Sequence, residues 1–306
     1  MIVYESMLPT PQYQWPLLNA RLGAELWVKH ENHTPVGAFK IRGGLVYFRW
    51  LRESGEGVQA VITATRGNHG QSVALAAQRE GIPAMVYVPR GNSASKNRAM
   101  RGLGASLVEF GSDFEAARQE AIRRARAEGL HVVPAFHERL VAGVATYSYE
   151  MLRAVEGIDV VYVPVGMGSG ICGMCAAREA LGLRMEIVGV VSAHAPAVFE
   201  SFVTGEPQQR PAKTKLADGL ACRAADPEAL EIMWRHVARM AAVTDAEVAA
   251  AMRVIFEETH NVAEGAGAAA LAAILREKDQ LRGKRVAMVL TGGNVDREVF
   301  AKVLAG

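Results

Sequence analysis

Short runs rich in valine, isoleucine and tyrosine recur along this 306-residue chain, each followed by a longer amphipathic stretch, and that alternation constrains its fold more than any other feature. The runs are ELWVKHE from Glu25, QAVITAT from Gln59, AMVYVP from Ala84, SLVEF from Ser106, DVVYVPV from Asp159, EIVGVV from Glu186 and RVAMVL from Arg285. Helical periodicity fills stretches 71–80, 113–127, 139–155, 246–258 and 267–277 between them. Apolar strands without inside–outside alternation are buried on both faces, and strands that alternate with helices form a mostly parallel sheet. The expected class is therefore α/β, with open parallel sheets flanked by helices. The polar segment GEPQQRPAKTK, 205–215, reads as an exposed loop.

Half of the residues are hydrophobic and the formal charge is +2, which leaves no basic footprint for nucleic acid or an acidic membrane surface. No apolar run reaches the ~20 residues that span a bilayer, and MIVYESMLPT lacks the basic and apolar regions of a secretory signal. Three cysteines do not make a disulfide framework. Cys172 and Cys175 form a CxxC without a second ligand pair, and read as small buried helix residues rather than a zinc site. These features lead us to expect a cytoplasmic protein.

In open α/β sheets, ligands sit outside the carboxyl ends of the strands. Four strand ends carry conspicuous loops: TATRGNHG after Val61-Ile62, VPRGNSAS after Tyr87, VPVGMGSG after Val161-Tyr162 and LTGGN after Met288-Val289. In the third, Gly166, Gly168 and Gly170 let backbone approach an anion just before a helix start. Gly168, Gly170 and Gly173 satisfy GxGxxG, but the next strand ends in Ser192-Ala193-His194 with no acidic residue for a ribose, and no Lys-Ser/Thr follows for a Walker loop. A pocket for a single phosphate, or tight helix–strand packing, remains. The first loop crowds Thr63, Thr65, Asn68, His69 and Gln71 into one turn, suited to a carboxylate or phenolic oxygen or to a plain helix cap. Glu264 precedes a small-residue helix, and Thr291 ends the last strong strand, as a turn residue or a ligand contact. Lys40 stands among Phe39, Ile41 and glycines in HTPVGAFKIRGG. Desolvation there would favour the neutral, nucleophilic amine. One ligand with a phosphate, a phenolic oxygen, a ring nitrogen and an aldehyde would occupy all of these, and pyridoxal 5′-phosphate has that set.

Over nearly its whole length, the chain resembles the fold-type II pyridoxal-phosphate enzymes of the threonine/serine dehydratase group, which includes serine racemase. KHENHTPVGAFKIRGG, RGNHGQSVALAA, VPVGMGSG, LADGLA, EGAGAAALAA and TGGNVD carry the likeness in order. The resemblance implies a tryptophan-synthase-β-like fold, with a large cofactor-binding domain from residues 1–52 and 143–306 and a small mobile domain from 53–142. It implies Lys40 as the Schiff-base lysine and Asn68 as partner of the cofactor O3′. Gly166, Met167, Gly168, Ser169 and Gly170 become the phosphate cradle, and Thr291 the hydroxyl at the pyridine nitrogen. Phe39 and Glu264 are counted among the cofactor contacts. Thr65, Arg66, Gly67, Asn68 and His69 form the loop that holds the substrate carboxylate.

The activity implied is dehydration of a 3-hydroxy amino acid, with threonine or serine as default, to a 2-oxo acid and ammonia. The alternatives are 3-hydroxyaspartate, phenylserine, or a cysteine-synthase-like β-replacement; a cofactor-binding protein without turnover is a further one. A homo-dimer or tetramer is implied as well.

Three departures from the family pattern stand out. Arg66 occupies a position usually held by Ser or Ala, which argues against racemisation and suggests either an acidic substrate group or a loop restraint. VVSAHAPAVFE lacks the carboxylates that hold a divalent cation in some relatives, so no metal is expected there. The chain ends soon after TGGNVD, which leads us to expect no isoleucine-responsive regulatory domain.

Overall fold

A computed structural model describes residues 2–306. In chain order the strands are β1 (Gln12–Gln14), β2 (Glu25–His30), β3 (Val61–Ala64), β4 (Ala84–Val88), β5 (Ser106–Glu109), β6 (His131–Val132), β7 (Val160–Pro164), β8 (Glu186–Ser192), β9 (Arg239–Val243) and β10 (Arg285–Leu290). The helices are α1 (Pro16–Leu22), α2 (Lys40–Glu53), α3 (Asn68–Arg79), α4 (Ala94–Gly102), α5 (Phe114–Glu128), α6 (Glu138–Ala154), α7 (Ser169–Ala180), α8 (Ala197–Thr204), α9 (Pro227–His236), α10 (Asp245–Thr259), α11 (Gly265–Arg276) and α12 (Arg297–Ala305). Every apolar run singled out above is a strand, and the α/β class with parallel sheets flanked by helices stands. The short strands β1, β6 and β9 were not expected.

The chain divides into two compact units. One holds the residues up to Met7 together with Lys40–Gly143; the other holds Leu8–Phe39 and Val144–Gly306.

The smaller unit is built on a parallel sheet in the order β5-β4-β3-β6. Helix α2 groups by contact with residues 53–143 rather than with the larger unit, and its glycines explain why. A Cβ at Gly44 would lie 2.4 Å from Ser72 Oγ, and one at Gly43 would lie 2.7 Å from the Leu140 carbonyl, so α2 sits directly against α3 and α6. Arg49 adds an ion pair to Glu80 at the end of α3.

The larger unit carries a sheet in the order β1-β2-β10-β7-β8-β9, parallel except for the edge strand β1. β7, VVYVP, is buried at every position, as expected of a strand covered on both faces. Residues 265–274 of the alanine-rich α11 are buried inside this unit, where their small side chains allow close approach to the sheet.

Candidate active site

In the larger unit, the turn after β7 places Gly166–Gly170 at the N-terminus of α7. Gly168 holds φ 100°, a left-handed conformation that costs a residue with a Cβ about 1–2 kcal/mol. A Cβ there would come 2.6 Å from that of Ala229, and a Cβ at Gly166 would come 2.5 Å from the Gly219 carbonyl of the LADGLA segment. Gly166 and Gly168 therefore admit only bare backbone, and the first N–H groups of α7 follow. Ser169 is buried at the first helical position, and Met167 is half-buried. Tyr147 donates its hydroxyl to the Gly170 carbonyl at 3.1 Å and meets the Phe39 ring edge-on at 6.0 Å. No motif marked Tyr147; only its helical periodicity was visible in the sequence.

The end of β10 fixes the segment that leads into Lys40. The Phe39 N–H donates to the Thr291 carbonyl at 3.0 Å, Ala38 bridges Gly292, and the Gly293 N–H donates to the Gly37 carbonyl. Asn294 Nδ2 donates to the Val36 carbonyl at 2.8 Å. Within the segment, Thr34 Oγ1 accepts from the Ala38 N–H and donates to its carbonyl. The TGGN motif thus works first as a backbone clamp, with the Thr291 residue itself buried. Glu264, also buried, receives the next loop: its N–H donates to the Gly292 carbonyl, and Oε1 lies 2.8 Å from where a Gly292 Cβ would stand.

In the smaller unit, Lys40 is the first residue of α2 and is half-buried. Its carbonyl accepts from Ser72 Oγ at 2.7 Å. The loop after β3 is shaped by Thr65, whose Oγ1 accepts the Gly67 N–H at 3.0 Å. Gly67 lies close to the Lys96 side chain, whose Cδ would have to move to admit a Cβ there, 2.6 Å away. Sequence reading passed over this buried lysine because it sits in a polar helix start; Ser93 accepts from its N–H as the cap of α4, which is what the VPRGNSAS loop builds.

Asn68 and His69 open α3. The His69 ring hydrogen-bonds the Val133 backbone; burial and the Lys40 charge together outweigh that bond and lower its pKa to about 3. Arg66 is exposed and makes neither a hydrogen bond nor an ion pair with any described residue.

The CxxC cysteines are buried in α7, with burial raising both thiols, that of Cys175 to about 12, so neither is a nucleophile at neutral pH. No helix among the described residues is long and apolar enough to cross a membrane.

Residues 3–292 match the family model described as pyridoxal-phosphate dependent enzyme. The chain is 35% identical over 289 residues to the L-threonine ammonia-lyase of Thermotoga maritima, covering 94% of this chain and 72% of that one. It is 30% identical over 305 residues to the L-threo-3-hydroxyaspartate ammonia-lyase of Saccharomyces cerevisiae, covering 99% and 93% respectively. Some relatives are much longer: the chain spans 58% of the biosynthetic L-threonine dehydratase of Escherichia coli. Among solved structures, the processed form of threonine deaminase isoform 2 from Solanum lycopersicum superposes with a TM-score of 0.92 at 28% identity, over 99% of this chain and 90% of that one.

Proposed function

The chain belongs to the pyridoxal-phosphate-dependent enzymes, and from that premise we propose that it is an ammonia-lyase, converting a 3-hydroxy amino acid to a 2-oxo acid and ammonia by β-elimination. Its cofactor is pyridoxal 5′-phosphate. The larger unit fits the phosphate: the Gly166–Gly170 turn excludes side chains on two sides and ends in a helix N-terminus, an arrangement suited to a dianion.

When bound, the cofactor supplies an electrophilic aldehyde and a ring that stores the charge left at the amino acid α-carbon. In our reading, Lys40 would hold the aldehyde carbon, and its amine would serve as the base for the substrate α-proton. Backbone N–H groups of Gly168–Gly170 and the Ser169 hydroxyl hold the phosphate, with Met167 beside them and Phe39 and Glu264 walling the ring. Asn68 donates to the phenolic oxygen. Thr291 would offer the ring nitrogen a hydroxyl rather than a carboxylate, a partner that would limit how far charge spreads and favour loss of the β-hydroxyl over transamination. The loop from Thr65 to His69 holds the substrate carboxylate, shaped by the Gly67 N–H given to Thr65 Oγ1 and the Thr65 N–H given to the Tyr87 carbonyl.

The observation that carries this reading is the backbone clamp from the TGGN motif to residues 36–39. It fixes residues 36–39, which lead into Lys40, against the end of β10 within the larger unit. Threonine or serine is the default substrate. Arg66 favours a second reading, 3-hydroxyaspartate, because an exposed guanidinium without a protein partner is available to a substrate carboxylate.

The test is 2-oxo acid release by the purified, cofactor-loaded protein from L-threonine, L-serine, the 3-hydroxyaspartates and phenylserine, with Lys40→Ala as blank. Release that depends on Lys40 supports the ammonia-lyase; silence across the panel from protein with bound cofactor overturns it. A preference for 3-hydroxyaspartate that Arg66→Ala removes selects the second reading.

A further inference from the structure

His69 Nε2 is buried and has no hydrogen-bond partner among the described residues. The rest of the ring is anchored. Since Nε2 is free, the bond to the Val133 backbone runs through Nδ1. The Val133 N–H is already given to the Ile62 carbonyl, so the Val133 carbonyl is the acceptor and Nδ1 carries the proton. Thr63 Oγ1 donates to the same carbonyl at 3.1 Å, filling its second lone pair. A neutral imidazole with hydrogen on Nδ1 has a bare lone pair on Nε2, so the atom left over is an acceptor. An acceptor sealed from water without a donor costs about 1–3 kcal/mol, which a bound ligand can recover.

Helix geometry says which ligand lies in reach. α2 and α3 run side by side in parallel: the Lys40 carbonyl meets Ser72, Gly44 abuts Ser72 and Ala76, and Arg49 pairs with Glu80. His69 precedes Ser72 by three residues and shares its face, one turn nearer the N-terminus. The imidazole therefore belongs to the neighbourhood of the Lys40 residue, whose charge acts on it.

We propose that His69 determines specificity by accepting a hydrogen bond at Nε2 from the β-hydroxyl of a 3-hydroxy amino acid. This rests on the ammonia-lyase reading and deepens it. The loop backbone takes the carboxylate, which every amino acid has, while His69 recognises the hydroxyl that separates substrates from the other amino acids. A buried lone pair rejects a side chain without a donor, because the penalty of leaving it unmet persists.

The first experiment needs no variant. Holoenzyme labelled with 15N-histidine is titrated with α-methylserine, which has the hydroxyl but no α-proton to lose, and with 2-aminoisobutyrate, which differs in lacking the hydroxyl. The Nε2 resonance of His69, assigned by its loss in His69→Gln, shifts with α-methylserine only. A shift with both would mean that an amine, not the hydroxyl, is the donor; no shift at saturating α-methylserine would mean that no bond forms. Either result overturns the proposal.

The second experiment compares serine with 3-chloroalanine, whose leaving group is not a donor. His69→Gln lowers kcat/KM for serine about tenfold or more relative to that for 3-chloroalanine, the loss of one buried hydrogen bond. Equal loss for both, or loss for neither, overturns it. Wild-type protein that releases no 2-oxo acid from either compound would count against the ammonia-lyase reading, and the resonance experiment would still decide the role of His69.

Discussion

Gly168 concentrates two demands in one residue. Its φ of 100° suits glycine, and a Cβ would lie 2.6 Å from that of Ala229. Gly168→Ala must therefore shift either the turn or α9, at a cost of about 1–3 kcal/mol. The turn is our phosphate cradle, so pyridoxal phosphate affinity is expected to fall about tenfold or more, read by titrating the apoprotein and following its fluorescence. Unchanged affinity in a folded variant would remove the cradle from this turn. The glycine spacing was legible in the sequence as a place where backbone meets an anion or another element. That it faces Gly219 and Ala229 was not, because those contacts come from segments more than fifty residues away. His69 is the reverse case. It stood in a recognisable motif, but a lone histidine gives no sign of its tautomer or of which nitrogen is left without a partner.

At the scale of elements, the GG pair in KIRGG has a meaning that only packing reveals. Gly43 lies against Leu140 and Gly44 against Ser72, so α2 is wedged between neighbours that leave no room for a methyl group. Gly143 closes the same contact from the other side, where a Cβ would stand 2.1 Å from the Arg42 carbonyl. Gly143→Ala is expected to destabilise the protein by about 1–3 kcal/mol, the usual cost of overpacking, seen as a lower urea midpoint; an unchanged midpoint would show that α2 and α6 can separate freely. Strong strands were legible because β7, β8 and β10 are dominated by apolar residues and β2 holds the apolar run Leu-Trp-Val. β9, RMAAV, was not, since alanine and methionine carry no β preference and the strand is made by pairing with β8. β1 and β6 are too short to leave a pattern, and β1 is held by its antiparallel register with β2.

For the whole molecule, the buried His30 and the partly buried His69 link stability to pH. His30 lies inside the larger unit beside Trp15 and Asn32; burial first, and then the charge of His33, lower its pKa from 6.5 to about 4. His69 is lowered further, to about 3. Between these values and 6.5 the unfolded chain binds protons that the folded chain does not, so acid favours unfolding. Stability is expected to be level with respect to these groups above pH 6.5 and to fall on acidification towards pH 4. Each histidine contributes up to about 1.4 kcal/mol per pH unit. Urea unfolding from pH 7 to pH 4.5 measures the slope, and His30→Gln should reduce it by one proton; an identical slope would show that His30 does not titrate differently on folding. The division of the chain at Lys40 and Gly143 was only partly legible. The sheet of the smaller unit could be read from its strands, whereas the grouping of α2 depends on glycine contacts that no local pattern announces.

The central claim is that Lys40, the residue at which the chain passes from one unit to the other, carries the cofactor. The most direct measurement is borohydride reduction of the holoenzyme, followed by peptide mapping by mass spectrometry. The account predicts a pyridoxyl-phosphate adduct on the peptide containing Lys40, absent from Lys40→Ala. An adduct on another lysine, such as Lys96, or no adduct on protein that has bound the cofactor, would contradict it.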